Sequence, residues 1–369
     1  MNSLGIEKFP HDTRVIVAMS GGVDSSVTAG LLLEQGYQVV GITLQLFDYG
    51  SASSMPGACC AGQDIHDAKN VAGKLGFPHY VFDFEKQFHG EVIEKFADSY
   101  LDGETPVPCI KCNQTVKFRD LLLRAKAMGG DVLATGHYVD RIAGHKVAEL
   151  HRGADSSKDQ SYFLFATTQE QINFLRFPLG QFSKDETRTH ATRFGLKIAD
   201  KPDSQDICFV PKGKYGDLIR KLRPQDVRKG EIVDIGGQLL GEHNGIIDYT
   251  VGQRRGLNIG GGTPLYVVRI DAVANKVIVG PKEALARSSI FLREVNWLGE
   301  TPLGVEPVKV SVKLRSAQPL VSAEIIGHQE GRATVTLGAA ELGVSPGHAC
   351  VFYQGSLLLG GGWIEKFND

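Results

Sequence analysis

With 369 residues the chain is longer than one ordinary hydrophobic core supports, so two to three domains are expected. Its 42% hydrophobic and 22% charged residues exclude a disordered chain, and no apolar run approaches the roughly 18 residues a membrane helix needs. A net charge of −2 excludes a uniformly basic nucleic-acid binder, and six cysteines are too sparse for a disulfide scaffold. Met1 to Pro10 carries no signal-peptide core, which together with the cysteine usage points to the cytoplasm.

Arg14–Met19 and Gln38–Leu44 read as strands flanking a helix from Ser25 to Gln35 that stops at Gly36. A helical stretch Asp64–Leu75, a strand His79–Phe84, helices Lys86–Tyr100 and Thr115–Met128, and a strand Asp131–Thr135 follow. Such alternation predicts an open parallel sheet with helices on both faces, whose ligands sit beyond the carboxyl ends of the strands. Ser183 and Glu186 form a capping box that opens one more helix, ending near Gly195. After about residue 210 short alternating segments replace the helices, as in Glu231–Ile235, Tyr266–Ile270, Lys276–Val279 and Val308–Leu314. Ser322–Ile326, Ala333–Leu337 and Ala349–Tyr353 follow at hairpin spacing, predicting a small C-terminal β-barrel. The expected domains are 1–210, 211–285 and 286–369.

The chemistry concentrates at the first strand–helix junction, Ala18 to Ser26, whose sequence is Ala-Met-Ser-Gly-Gly-Val-Asp-Ser-Ser. Side-chain-poor backbone at the end of a strand, followed directly by a helix N-terminus, makes an anion cradle. The lysine of G-x-x-x-x-G-K-[ST] is missing, so this is not a Walker A loop. Two further features stand apart. Cys109 and Cys112 lie in a proline-bounded loop near a predicted helix start, with Lys111 and Lys117 nearby, a setting that favours a thiolate. Cys208 lies just before the expected domain boundary. Each alone is also compatible with a small core residue. From Pro211 to Gly230, seven basic residues against two acidic ones give a local charge of +5, leaving −7 elsewhere.

The loop Ser20–Ser26 resembles the SGGxDSS loop of enzymes that split ATP to AMP and pyrophosphate. Together with Cys112-Asn113, Cys208-Phe209, Ala134–Tyr138, Lys158–Phe163 and Tyr249–Leu257, it resembles the tRNA-specific 2-thiouridylases nearly end to end, to Ser345–His348 and Leu359–Gly362. The resemblance implies an α/β pyrophosphate-loop domain followed by a central mostly-β domain and a β-barrel. It implies adenylation of O2 of the tRNA wobble uridine and replacement of that oxygen by sulfur. ATP would contact Ala18, Met19, Ser20, Gly21, Gly22, Val23, Asp24, Ser25, Leu44 and Gly136, with Asp24 placing Mg²⁺ or serving as the helix N-cap. Cys208 would carry a persulfide from an external sulfur carrier and Cys112 would act as nucleophile, closing a transient Cys112–Cys208 disulfide. His137, Lys158, Asp159, Gln160, Arg315 and His348 fall at tRNA-contact positions, and the basic stretch Lys212–Lys229 then reads as an RNA surface.

One position departs from the family pattern. Many members carry an aspartate three residues before the catalytic cysteine, where this chain has Cys109, so a carboxylate base is not available there. Cys109, Cys112 and Cys208 form a thiol set that could ligate an iron–sulfur cluster with one open iron, as related thiolases do, or Cys109 is a spare thiol. Cys59-Cys60 has no evident chemistry, and Cys350, on an alternating strand, reads as core. Two rival functions are compatible with these residues: another pyrophosphate-loop enzyme of the amidating type, and a non-catalytic RNA-binding protein that senses ATP.

Overall fold

The computed structural model describes residues 1–47, 61–203, 207–210, 215–260 and 262–367. Cys59 and Cys60 lie outside them. The chain divides into two compact units, one of Met1–Glu91, Cys109–Pro211 and Ser356–Leu358, the other of Val92–Pro108, Lys212–Gly355 and Leu359–Asp369. Among the described residues no helix is long and apolar enough to cross a membrane.

The first unit holds the parallel sheet. Its strands β1 (Arg14–Ala18), β2 (Gln38–Gln45), β3 (His79–Asp83) and β4 (Val132–Ala134) are joined by β7 (Leu175–Arg176) in the order β3-β2-β1-β4-β7. All pairings in this sheet are parallel. Strand side chains alternate between faces, and both faces of β1 are covered: Val15 and Val17 join a core with helix α1 (Val23–Glu34) and helix α2 (Ala61–Leu75), while Ile16 is equally buried on the other side. Helix α1 stops where Gly36 takes φ +84, a left-handed conformation glycine adopts at little cost. β5 (Val139–Ala143) and β6 (Ala148–Arg152) form an antiparallel hairpin that the alternation pattern did not announce.

Two helices differ from expectation. The Lys86–Tyr100 stretch contains a π-helical segment at His89–Glu94, and the helix expected from Thr115 opens at Pro108, a residue suited to a first turn. From Pro108–Cys112 it continues as a π-helical stretch, Asn113–Leu121, and ends as an α-helix, Leu122–Ala127. The Ser183 capping box is present in full: Ser183 N donates to Glu186 Oε2 at 2.7 Å and Glu186 N donates to Ser183 Oγ at 3.2 Å, starting the helix Lys184–Arg193.

In the second unit, β8 (Gly230–Asp234), β9 (Leu239–His243), β10 (Tyr266–Asp271) and β11 (Lys276–Gly280) make a four-stranded sheet in the order β10-β11-β8-β9. Its core gathers Ile232, Tyr249, Val267, Val277 and Val279. β12 (Ala286–Trp297), β13 (Val308–Lys313), β14 (Val321–Gly327), β15 (Ala333–Leu342), β16 (Ala349–Gln354) and β17 (Leu357–Ile364) follow in the order β12-β15-β14-β13-β16-β17. Pairing of β12 with β17 closes this barrel. Closure explains glycines that look like loop residues: a Cβ at Gly360 would collide with the Asn296 carbonyl oxygen.

Arg293 on β12 donates to both carboxylate oxygens of Glu104, at 2.9 and 2.8 Å, and the Glu104 side chain is only 7% exposed. Arg293→Ala strands that carboxylate and is expected to cost about 2 kcal/mol, the buried-pair penalty discounted for the partly exposed arginine. A fall in the thermal unfolding midpoint measures it, and an unchanged midpoint would show the pair to be energetically neutral.

Candidate functional site

The loop expected to hold phosphate forms where β1 ends. Gly21 takes φ +74, and a Cβ on it would collide with the backbone carbonyl of Asp64 at the start of α2. Gly22 is the N-cap of α1, so the helix begins at Val23, two residues before the expected Ser25. Asp24 is therefore not the cap. The two serines bind backbone: Ser20 N donates to Ser25 Oγ at 3.2 Å, and Ser26 Oγ donates to the Gly22 carbonyl at 2.8 Å. The first amides of α1 have no acceptor within the helix and stand at the positive end of the helix dipole. Lys201 grips the loop from outside, its Nζ donating to the Gly21 carbonyl at 3.0 Å and to Asp64 and Asp67 at 2.7 Å each.

Gly136 is brought to the same place. A Cβ there would lie 2.8 Å from Asp24 C and from Ser25 N, so only glycine lets this turn approach the first turn of α1. Leu44, half-buried, pairs with Phe82 on the neighbouring strand. Asp24 Oδ1 accepts from the Tyr138 hydroxyl at 2.8 Å and from Lys184 Nζ at 2.7 Å. The Lys184 side chain is 9% exposed and its Nζ also lies 2.6 Å from Asp203 Oδ1. Lys158 reaches the other oxygen of Asp203 at 2.8 Å, and Arg188 lies 3.8 Å from it. Burial acts against Asp203, yet Lys158 and Lys184 hold its carboxyl below the usual carboxylate range.

Lys184, Arg188, Lys201 and Asp203 escaped the motif reading. They come from segments distant in sequence, and only the capping box hinted that the helix carrying Lys184 starts beside something polar.

The thiols lie in the same unit. Cys112 is buried, whereas Cys109 and Cys208 retain solvent-exposed surface. Burial pushes the Cys112 thiol up, with Lys117 pulling it down and Cys109 adding to the rise. Burial likewise raises Cys109, against a lowering pull from Lys117. Cys208 is pushed up to about 12, first by burial and then by Cys112 and Cys109, so the three sulfurs are near enough to resist each other's ionisation. The expected thiolate is thus opposed: Lys117 acts in the anticipated direction and desolvation outweighs it. The Ile207–Val210 turn that holds Cys208 is closed by Val210 N donating to the Ile207 carbonyl at 2.9 Å. Phe209 packs edge-on against Phe88 with centroids 5.7 Å apart.

Alkylation follows the thiolate fraction. For Cys208 the rate should therefore keep rising with pH through and beyond the ordinary thiol range. A plateau near that range, read by peptide mass spectrometry of iodoacetamide-treated protein, would contradict the raised value.

Among the described residues no group of three His, Cys, Asp or Glu side chains is arranged to hold a metal ion. Cys109, Cys112 and Cys208 form no such group. Magnesium at Asp24 would meet the Lys184 ammonium, so the ion fits only alongside phosphate oxygens that occupy this lysine.

The residues expected at tRNA-contact positions fall in different settings. His137 packs against Phe118 and Phe177, its Nδ1 is 2.9 Å from Thr135 Oγ1, and burial drives its pKa down to about 3, so it is neutral. Asp159, with a side chain 1% exposed, accepts from Arg152 Nε at 3.0 Å and from Ser161 N at 3.1 Å. Gln160 Oε1 accepts from Tyr138 N at 3.0 Å. These two polar groups serve the fold. In the second unit His348, also kept neutral by burial and by Arg315, sits beside that exposed arginine. Within the basic stretch Arg220 pairs with Asp248, and Arg223 with Glu94 and Asp98, so part of its charge is neutralised. Lys212 and Lys214 lie outside the described residues. Arg254 and Arg255 are exposed.

Comparison with known proteins covers the whole chain. Residues 13–212 match the family model described as "tRNA methyl transferase HUP domain", residues 217–281 "tRNA methyl transferase PRC-barrel domain", and residues 287–364 "Aminomethyltransferase beta-barrel domain". The chain is 60% identical over 374 residues to the tRNA-specific 2-thiouridylase MnmA of Rhodospirillum centenum, covering 99% of this chain and 95% of that protein. It is 59% identical to the protein of that name from Paracoccus denitrificans, with the same coverage. A 4-thiouridine synthetase–RNA complex with bound ATP is a distant likeness, at 19% identity and a TM-score of 0.37, spanning 58% of this chain and 51% of that one. By identity over almost its full length, the chain belongs to the family of tRNA-specific 2-thiouridylases.

Proposed function

We propose that this chain replaces O2 of the wobble uridine of tRNA by sulfur, using ATP. The observation that carries the reading is one compact unit holding both a lysine-free phosphate loop and the electrostatically linked thiols Cys112 and Cys208. A uracil carbonyl oxygen is a poor leaving group. Attack of that oxygen on the α-phosphate of ATP expels pyrophosphate and turns the oxygen into part of AMP. The loop amides, with Lys184 nearby, suit the charge that develops on the phosphates.

Sulfur arrives as a persulfide on Cys208, donated by a carrier protein. The Cys112 thiol attacks the Cys208 Sγ and passes its proton to the departing outer sulfur, so a Cys112–Cys208 disulfide forms and hydrogen sulfide leaves. Its attack on C2 expels AMP, and an external dithiol then reduces the disulfide, supplying two electrons and two protons. The raised thiol pKa values keep both sulfurs protonated at rest, out of reach of casual oxidants.

We assign residues 1–210 to the chemistry, with the half-buried Lys158 at its RNA-facing edge, and residues 211–285 and 286–369 to holding the RNA, with the exposed Arg254, Arg255 and Arg315 as phosphate contacts. The reaction is placed in the cytoplasm, where tRNA and ATP meet. The "methyl transferase" wording of two family models would call for a methyl donor, whereas the thiol pair fits sulfur.

Nucleoside mass spectrometry of tRNA from a strain lacking the gene tests the reading. Loss of 2-thiouridine at the wobble position, restored by the gene, is expected; unchanged 2-thiouridine would overturn it. The amidating alternative predicts an ammonia-derived product in the same assay, and a non-catalytic ATP sensor predicts no tRNA-dependent pyrophosphate release.

A further inference from the structure

Cys109 has no part in the sulfur transfer derived above, yet it stands about one helical turn before Cys112. Both lie in the α-helical segment Pro108–Cys112, three residues apart and so on one face. Helix geometry sets Cα atoms at that spacing ~5 Å apart, inside the range of about 4.4–6.8 Å that a disulfide spans. The π-helical stretch that follows, with bonds from i to i+5, carries Lys117 round to the face of Cys112. Burial raises the thiols of Cys109, Cys112 and Cys208, and at each of them Lys117 pulls the other way; Cys208 also feels Cys112 and Cys109. The three sulfurs therefore gather about one ammonium within a single compact unit. Exposure divides the helical pair: Cys112 is buried, while Cys109 presents surface to solvent.

A Cys112–Cys208 disulfide left by sulfur transfer blocks the next round at both ends, because Cys112 can no longer attack and Cys208 can no longer be loaded. We propose that Cys109 is the resolving thiol of this reaction: it attacks the Cys112 Sγ, forms a Cys109–Cys112 disulfide and releases Cys208 for the next persulfide. The bond between the Cys112 and Cys208 sulfurs breaks as that between Cys109 and Cys112 forms, and the Cys109 proton passes to the departing Cys208 sulfur. The exchange itself consumes no oxidant or reductant. An external dithiol then attacks the exposed Cys109 sulfur, supplies two electrons and two protons, and is itself oxidised to a disulfide. Loading and reduction thus use different cysteines, so a sulfur carrier and a reductant do not compete for Cys208. The inference rests on the sulfur-transfer reading above.

The test uses the full-length protein, loaded with glutathione persulfide and freed of that donor by gel filtration. Unmodified tRNA and ATP with Mg²⁺ start one turnover, which is quenched in acidic N-ethylmaleimide and mapped by peptide mass spectrometry. Trypsin cuts after Lys111, so Cys109 and Cys112 leave on separate peptides unless a disulfide joins them. Wild type is expected to hold Cys109–Cys112, with Cys208 alkylated, in about ten-fold excess over Cys112–Cys208, whereas Cys109→Ser should hold Cys112–Cys208. In continuous turnover with limiting dithiothreitol, Cys109→Ser should fall about ten-fold below the wild-type rate, and Cys109→Ala should match it. A wild-type protein that keeps Cys112–Cys208 with Cys109 alkylated, or a Cys109→Ser protein at the wild-type rate, overturns the proposal and leaves the sulfur reading intact. Formation of 2-thiouridine with no disulfide at Cys112 overturns that reading, and the proposal with it.

Discussion

Cys208→Ser and Cys112→Ser should each abolish wobble-uridine thiolation, by on the order of a thousand-fold or more, while both proteins still bind ATP. Serine matches the shape of cysteine but cannot carry a second sulfur, and its hydroxyl does not attack a persulfide. Neither position belongs to the phosphate loop, so nucleotide affinity should survive. The variants should part at an intermediate stage: Cys112→Ser accepts a persulfide on Cys208 and stalls, whereas Cys208→Ser is never loaded. Persulfide-specific labelling of protein treated with a sulfur donor separates them, and residual thiolation in either would remove that cysteine from its role. Cys208 has exposed surface, so its replacement should shift stability by no more than about 0.5 kcal/mol. At buried Cys112 the serine hydroxyl should cost about 1–2 kcal/mol without unfolding the protein.

Gly21→Ala should be nearly as damaging, through geometry alone. The residue sits at φ +74, where a side chain is strained, and a Cβ would strike the Asp64 carbonyl, which is backbone and cannot rotate aside. Either the loop or the start of α2 must shift, at a cost of about 2–4 kcal/mol. Because any such shift displaces the amides of the loop, most of the effect should appear as a loss of ATP affinity of about a hundred-fold, with a smaller fall in unfolding temperature. Calorimetry and thermal melts on one preparation measure both. Unchanged ATP affinity would mean that the loop does not hold the nucleotide.

Much of this architecture was legible in the sequence because its signals are local. The run Val15, Ile16, Val17, the glycine pair and the serine-led helix start define β1, the loop and α1 within twenty residues. The β5–β6 hairpin was missed because its short, polar strands carry a weak alternation. β17 was missed because three consecutive glycines read as a loop; barrel closure, which no local window contains, demands them. The site divides in the same way. Gly136 and the thiols announced themselves through motifs, but Lys184 and Asp203 gain their meaning only from Asp24, 160 residues from Lys184 along the chain. The thiol pKa values failed for a related reason: neighbouring lysines can be read from sequence, while desolvation is a property of the packed fold.

The bond from Lys201 to the Gly21 carbonyl acts on the loop through peptide planarity. In a trans peptide the C=O of one residue and the N–H of the next point in opposite directions within one rigid plane. By fixing the Gly21 oxygen, Lys201 also fixes the direction in which the Gly22 N–H projects, so a lysine that touches no phosphate aims a donor from the far side of the plane. The amide is oriented before any anion arrives, and binding need not spend entropy on freezing that torsion.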